Sequence, residues 1–201
     1  MGGDKASRSY HGTATSRLNI ALDVLADRFE SGDHDAAIDA FDLVFSDPDS
    51  LPAHREFAVR QLEFAAASGH VRAQSILGYQ LARGNVLERD LETAEFWLLL
   101  AAQGGEVLAQ LNLGIFYVER ADSSPDAKEI ERLHKNAVKW LRLASDAGEL
   151  NAMSLLGMVL VEYDDSRAEG TDLLRSAAER GDTHAEALLT EIESEIKEQE
   201  Q

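Results

Sequence analysis

The segment AAQGGEVLA, Ala101 to Ala109, decides how this chain folds. It holds an alanine, a glycine four residues on and a second alanine four residues after that: Ala101/Gly105/Ala109. The same spacing returns at Ala65/Gly69/Ala73, Ala144/Gly148/Ala152 and Ala177/Gly181/Ala185. Four copies in one register mark a supersecondary unit that has been repeated. In each, the first alanine lies in the last turn of a helix. The glycine stands just past its end, where a left-handed backbone is cheap only without a Cβ. The second alanine opens the next helix and lets two backbones approach. The chain therefore reads as an all-α array of helix–turn–helix units, and its function is sought in binding before catalysis.

Working outward, apolar residues recur at helical spacing over ten segments. They fall at about 17–30, 33–45, 53–68, 71–83, 90–103, 107–120, 125–147, 150–163, 165–180 and 183–198. Asp33 or His34 starts the second of these, after Gly32 stops the first. Asp90, Ser124 ahead of Pro125, and Asp164 or Asp165 are the expected N-caps. Residues 1–15 read as a disordered leader and 16–52 as a degenerate N-terminal helical cap. Residues 53–182 form the repeat array, and 183–201 a capping helix whose acidic end frays.

The charge narrows the partners. With 37 acidic and 19 basic residues among 201, the formal net charge is −18. Phosphate neutralisation needs surface Lys and Arg, so nucleic acid is disfavoured, and an anionic membrane surface with it. A basic protein would be steered toward such a field; the alternative is that acidity serves solubility alone. There is no cysteine, which excludes disulfides and thiolate metal sites. No apolar run approaches the roughly 20 residues of a membrane span. The polar N-terminal stretch lacks an apolar signal core, so a cytoplasmic location is expected.

Motifs that carry chemistry are missing. No nucleophile triad, P-loop, dinucleotide fingerprint or helical zinc motif is present. Asp33-His34-Asp35 has the composition of a metal site but reads as an exposed helix start. His70 and His184 follow joint glycines and are expected at the surface, and His134 lies on the longest helix. No catalytic, cofactor-binding or metal-ligating residue is assigned.

Aligned on the second alanine of each triplet, the units share more than the triplet. The first reads Ala73-x3-Leu77-Gly78-x2-Leu81-x2-Gly84, then Asp90-x3-Ala94-x2-Trp97-x3-Ala101-Ala102-x2-Gly105. The second repeats Ala109, Leu113, Gly114 and Tyr117, then Ala137, Trp140, Ala144 and Gly148. The third repeats Ala152, Leu156, Gly157 and Leu160, then Gly170, Leu173, Ala177 and Gly181. This pattern resembles the Sel1-like repeat, a relative of the tetratricopeptide repeat with a unit of about 36 residues. The resemblance covers about 53–190 and implies a right-handed solenoid whose first helices line a concave face. Two departures stand out. The second unit runs 43 residues from Ala109 to Ala152, its excess falling around Asp122 to His134, and the third is shortened to 33.

Gly78, Gly114 and Gly157 fall inside helices, where glycine costs about 1 kcal/mol against alanine. They are tolerable where a neighbouring helix packs on that backbone. Trp97 and Trp140 are expected as wedges between helix pairs. On a helical wheel, Ala73, Leu77 and Leu81 set the core side of the first helices. Tyr79, Leu111, Ile115, Val118, Met158 and Val161 then form an apolar stripe on the opposite side. Such a stripe is an interaction surface if exposed, and core if adjacent helices cover it.

The resemblance implies a non-enzymatic protein-binding module, an adaptor, scaffold or regulator that holds a protein or peptide partner on the concave stripe within an acidic rim. Two alternatives stay open: an immunity protein that neutralises a secreted bacterial toxin, and, less favoured, a hydrolase with a site in the groove.

Overall fold

The computed structural model describes residues 14–163 and 166–199. Among the described residues the chain forms ten α-helices and no strand. They are α1 (Ala14–Glu30), α2 (Asp35–Ser46), α3 (Pro52–Ala67), α4 (Val71–Arg83) and α5 (Leu91–Gln103), then α6 (Val107–Asp122), α7 (Ala127–Asp146), α8 (Leu150–Tyr163), α9 (Arg167–Glu179) and α10 (Thr183–Gln199). Residues 1–13 of the expected leader, and the Asp164 or Asp165 cap, lie outside the described residues. Ala14 and Thr15, assigned to that leader, already belong to α1. α10 stays helical to Gln199. The chain divides into two compact units, one reaching to Ala73 and one starting at Gln74.

In the first unit α2 packs on both α1 and α3. Leu18 and Leu22 of α1, Ala40 and Val44 of α2 and Ala58 of α3 form a buried cluster. The start of α2 corrects the sequence reading. α2 begins at Asp35, later than read; Arg28 donates to the Asp33 carboxylate in two hydrogen bonds, from Nη2 at 2.7 Å and Nε at 2.9 Å, and the N–H groups of Asp35 and Ala36 help hold that carboxyl below its ordinary range. His34 holds the N-cap position without a side-chain cap bond.

The joints show why the triplet is so strict. Gly69, Gly105, Gly148 and Gly181 have φ of +90°, +84°, +92° and +94°. The following residue, in the same order, donates its N–H to the first alanine's carbonyl: His70 to Ala65 at 3.0 Å, Glu106 to Ala101 at 3.1 Å, Glu149 to Ala144 at 3.0 Å and Asp182 to Ala177 at 3.1 Å. This is a Schellman closure, and it satisfies carbonyls the helix end would orphan. The same residue then caps the next helix. Asp182 Oδ1 accepts from the N–H groups of His184 at 2.9 Å and Ala185 at 3.2 Å. The Glu106 carboxylate accepts from Ala109 N–H, and His70 Nδ1 accepts from Ala73 N–H at 3.3 Å. One residue thus ends one helix and begins another.

In the second unit each helix from α5 onward packs on the next, and α8 also touches α6 and α10. The fully buried leucines Leu98, Leu113, Leu133, Leu141, Leu156 and Leu174 form the interior. The helical glycines serve the packing. A Cβ on Gly78, Gly114 or Gly157 would lie 2.8, 2.5 or 2.8 Å from the side chain of Leu98, Leu141 or Leu174. Those leucines hold one repeat position, so the same knob fills the same hole three times. Trp140 is buried as expected, whereas Trp97 is only half-buried beside Phe96.

Asp90 caps α5, accepting from Glu92 N–H and Thr93 N–H at 3.1 Å each. The expected Ser124-Pro125 cap is displaced: Asp126 is the N-cap of α7 and accepts from Lys128 N–H at 3.0 Å. Ser124 Oγ instead accepts from Asp126 N–H at 3.3 Å, turning the chain toward the carboxylate. A carboxylate also suits the positive end of the helix dipole better than a hydroxyl does.

Candidate binding surface

The apolar stripe divides by repeat position. Ser75, Leu111 and Ser154 are equivalent, and all three are buried. The reason is visible at Ser154, whose hydroxyl donates to the Asp182 carboxylate. The following joint covers this position, so Leu111, 7% exposed, belongs to the core and not to a binding face. Val118, 8% exposed, is also core. Its equivalent Val161 shows the cause, since a Cβ added to Gly170 of α9 would lie 2.9 Å from Val161 Cγ2. Tyr79, Ile115 and Met158 share the remaining position. Tyr79 is 41% exposed, and Ile115 and Met158 are half-buried. Leu108, one turn before Leu111, falls on the same side of the wheel but outside the expected stripe, and it is 54% exposed.

Met158 and Val161 meet in a cleft between α8 and α10. Leu188 and Ile192 of α10 form its other wall, and Leu174 of α9 also lines it. Its volume is about 280 Å³. Glu162 and Glu191 stand in the lining with Arg167, so an apolar interior carries a charged edge.

A larger groove of about 660 Å³ lies where the second unit is stretched. α6 supplies Phe116, Glu119 and Arg120, and the α6–α7 turn supplies Ser123 and Ser124. α7 adds Glu129 and Leu133. A charged network braces this wall. Glu95 accepts from the Tyr117 hydroxyl at 2.9 Å and from Arg120 Nη1 at 2.9 Å. Burial, reinforced by the Glu95 carboxylate, pushes the Tyr117 phenol well above its ordinary range. The Arg120 guanidinium sits 5.6 Å from the Phe116 ring centre.

The histidines do not assemble. Asp33 turns to Arg28, and Asp35 Oδ1 lies 3.4 Å from His70 Nε2. His34 and His70 stack edge to face at 6.1 Å. Among the described residues no group of three or more His, Asp or Glu side chains is placed to hold a metal ion. His134 is buried, and desolvation lowers its pKa. On the second helices, Phe96, Leu100 and Leu143 are exposed apolar residues that sequence reasoning missed. Leu100 and Leu143 each precede the first alanine of a triplet, and that shared position was the available signal.

No protein-family model and no curated protein matches the chain. Solved structures do. A Sel1 repeat protein from Oxalobacter formigenes is 28% identical with a TM-score of 0.50, over 66% of this chain and 97% of that one. A protective antigen of uropathogenic Escherichia coli strains that displays the Sel1-like repeat fold is 26% identical with a TM-score of 0.65, over 82% of this chain. The chain has the Sel1-like repeat fold of these proteins. It spans 34% of the length of the antigen. The Sel1-like repeat fold is in general a protein-interaction module, and here it leaves open the α8–α10 cleft and the groove of the stretched unit.

Proposed function

We propose that the chain is a non-enzymatic interaction module that holds one protein or peptide partner against the α8–α10 cleft. The observation that carries this reading is the meeting of Met158 and Val161 with Leu188 and Ile192 around one apolar space, edged by Glu162 and Glu191. An apolar side chain of the partner fills the cleft. Positive charge beside it faces the two glutamates and the field of a chain with net charge −18. Tyr79 and Leu108, exposed on α4 and α6, extend the apolar contact along the first helices.

The test is affinity capture with the full chain, followed by titration of the recovered partner against Met158→Glu. A carboxylate in the cleft should weaken binding at least about tenfold, since the partner's apolar side chain would bury it without a paired charge. Raising salt from about 50 to 500 mM should slow association, because exposed charges are screened over a shorter length. Equal affinity of the variant would refute the cleft as the site.

A further inference from the structure

The groove of the stretched unit is built from different residues and reads as a second site. Its volume of about 660 Å³ lies inside the range of about 300–1,000 Å³ typical of sites that seat a ligand several groups long. Its floor is apolar, with Phe116 and Leu133 buried beneath it. Its rim carries three carboxylates, Glu119, Asp122 and Glu129, and two guanidiniums, Arg89 and Arg120.

Most of these charges are already engaged. Arg120 is held by Glu95 at 2.9 Å, Glu129 by Arg132 at 2.7 Å and Glu119 by Arg83 at 3.2 Å. Two rim groups keep capacity. Asp122 makes no hydrogen bond or ion pair through its carboxylate among the described residues. Arg89, among the described residues, spends only its Nε, on the Ala82 carbonyl at 3.2 Å. Glu119 and Glu129 also retain lone pairs, since a carboxylate accepts several hydrogen bonds.

We infer that this groove binds a short extended peptide of a partner protein in which a lysine or arginine adjoins an apolar residue. The apolar side chain lies on Phe116 and Leu133. The cation meets Asp122, backed by Glu119 and Glu129. The spare nitrogens of Arg89 take peptide carbonyl oxygens. Charge complementarity selects this occupant over an anionic one. The rim holds three carboxylates and two guanidiniums, its two uncommitted groups are Asp122 and Arg89, and the field of a chain of net charge −18 favours a cation at Asp122 over an anion at Arg89. An acidic peptide would depend on Arg89 alone or draw Arg120 away from Glu95.

A displayed library of random dodecapeptides is panned against the full chain. The selected peptides are then synthesised and titrated against wild type, Asp122→Lys, Ser124→Arg and Met158→Glu. The expected pool carries Lys or Arg beside an aliphatic or aromatic residue. Asp122→Lys reverses the rim charge and Ser124→Arg fills the groove, and each should weaken these peptides about tenfold or more. Met158→Glu, in the other cleft, should leave their affinity unchanged. A pool without that pattern, or peptides indifferent to both groove variants, overturns the proposal. Peptides lost with Met158→Glu but kept by both groove variants assign binding to the α8–α10 cleft alone and overturn it as well.

Discussion

Gly157 and Gly170 hold the backbones of α8 and α9 in direct contact. A Cβ on Gly157 would lie 2.9 Å from the Gly170 carbonyl oxygen, and a Cβ on Gly170 would lie 2.7 Å from the Gly157 carbonyl oxygen. Backbone cannot rotate away as a side chain can. The repeat position of Gly170 is filled by alanine, Ala94 and Ala137, in the two preceding units. Gly170→Ala should therefore destabilise, although it restores the residue used elsewhere and gains about 1 kcal/mol of helix propensity. A net loss of about 1–2 kcal/mol is expected from overpacking, read as a lower denaturant midpoint. A raised midpoint would contradict the close contact.

Leu111 and Met158 stood side by side in the predicted stripe, and the structure separates them. Leu111→Glu places a carboxylate in the core with no partner and should lower the melting temperature by many degrees. Met158→Glu should leave melting within a few degrees. Equal destabilisation of the two would mean that the α8–α10 cleft is closed.

Asp182 caps α10 and accepts the Ser154 hydroxyl, and these bonds hold its carboxyl below the usual range, the serine contributing most. Its folded pKa lies below the unfolded value of about 3.9. Its stabilisation is thus present above that value and lost as pH falls through the folded one. Asp182→Ala should cost about 1 kcal/mol near neutral pH, as lost N-caps do. It should also flatten the stability profile below about pH 4. Thermal melts of both proteins between pH 2 and 7 check the sign.

His134 acts with the same sign in a higher window. Burial favours its neutral form, so the folded pKa lies below the unfolded value of about 6.5. The unfolded chain binds more protons there, and stability falls as pH drops from about 6.5. His134→Gln should remove that slope between about pH 5 and 7. An unchanged slope would assign it to other groups.

Glu95 and Tyr117 form an unequal pair. Glu95→Ala leaves the buried Tyr117 hydroxyl without its acceptor and releases Arg120, whereas Tyr117→Phe removes the hydroxyl with its need. An orphaned buried donor costs about 1–3 kcal/mol, so Glu95→Ala should be the more damaging change. Denaturant titration of the two single variants decides it.

The fold was legible because the joints are written in residue types. Only glycine fits the left-handed position at Gly105, and only a small residue fits between α6 and α7 at Gly114, so both demands reach the sequence. The α7 cap was misplaced because serine before proline and aspartate after it are both good signals. The choice between them rests on how Ser124 bonds to Asp126. Leu111 was misread because a wheel records directions within one helix and not which neighbour arrives; at the equivalent Ser154 the arriving group is Asp182 of the next joint. The groove of the stretched unit draws on several elements, and no local pattern encodes that. The excess residues around Asp122 to His134 marked its place without showing its shape.

Each joint closes its hydrogen bonds within about nine residues, from the first alanine's carbonyl to the first turn of the next helix. Residues gained or lost elsewhere in a unit therefore leave the next helix start undisturbed. The second unit is long and the third short, yet Gly148 and Gly181 differ in φ by only a few degrees. A lineage can thus remodel one binding surface at a time by insertion or deletion, with the neighbouring units insulated from the change.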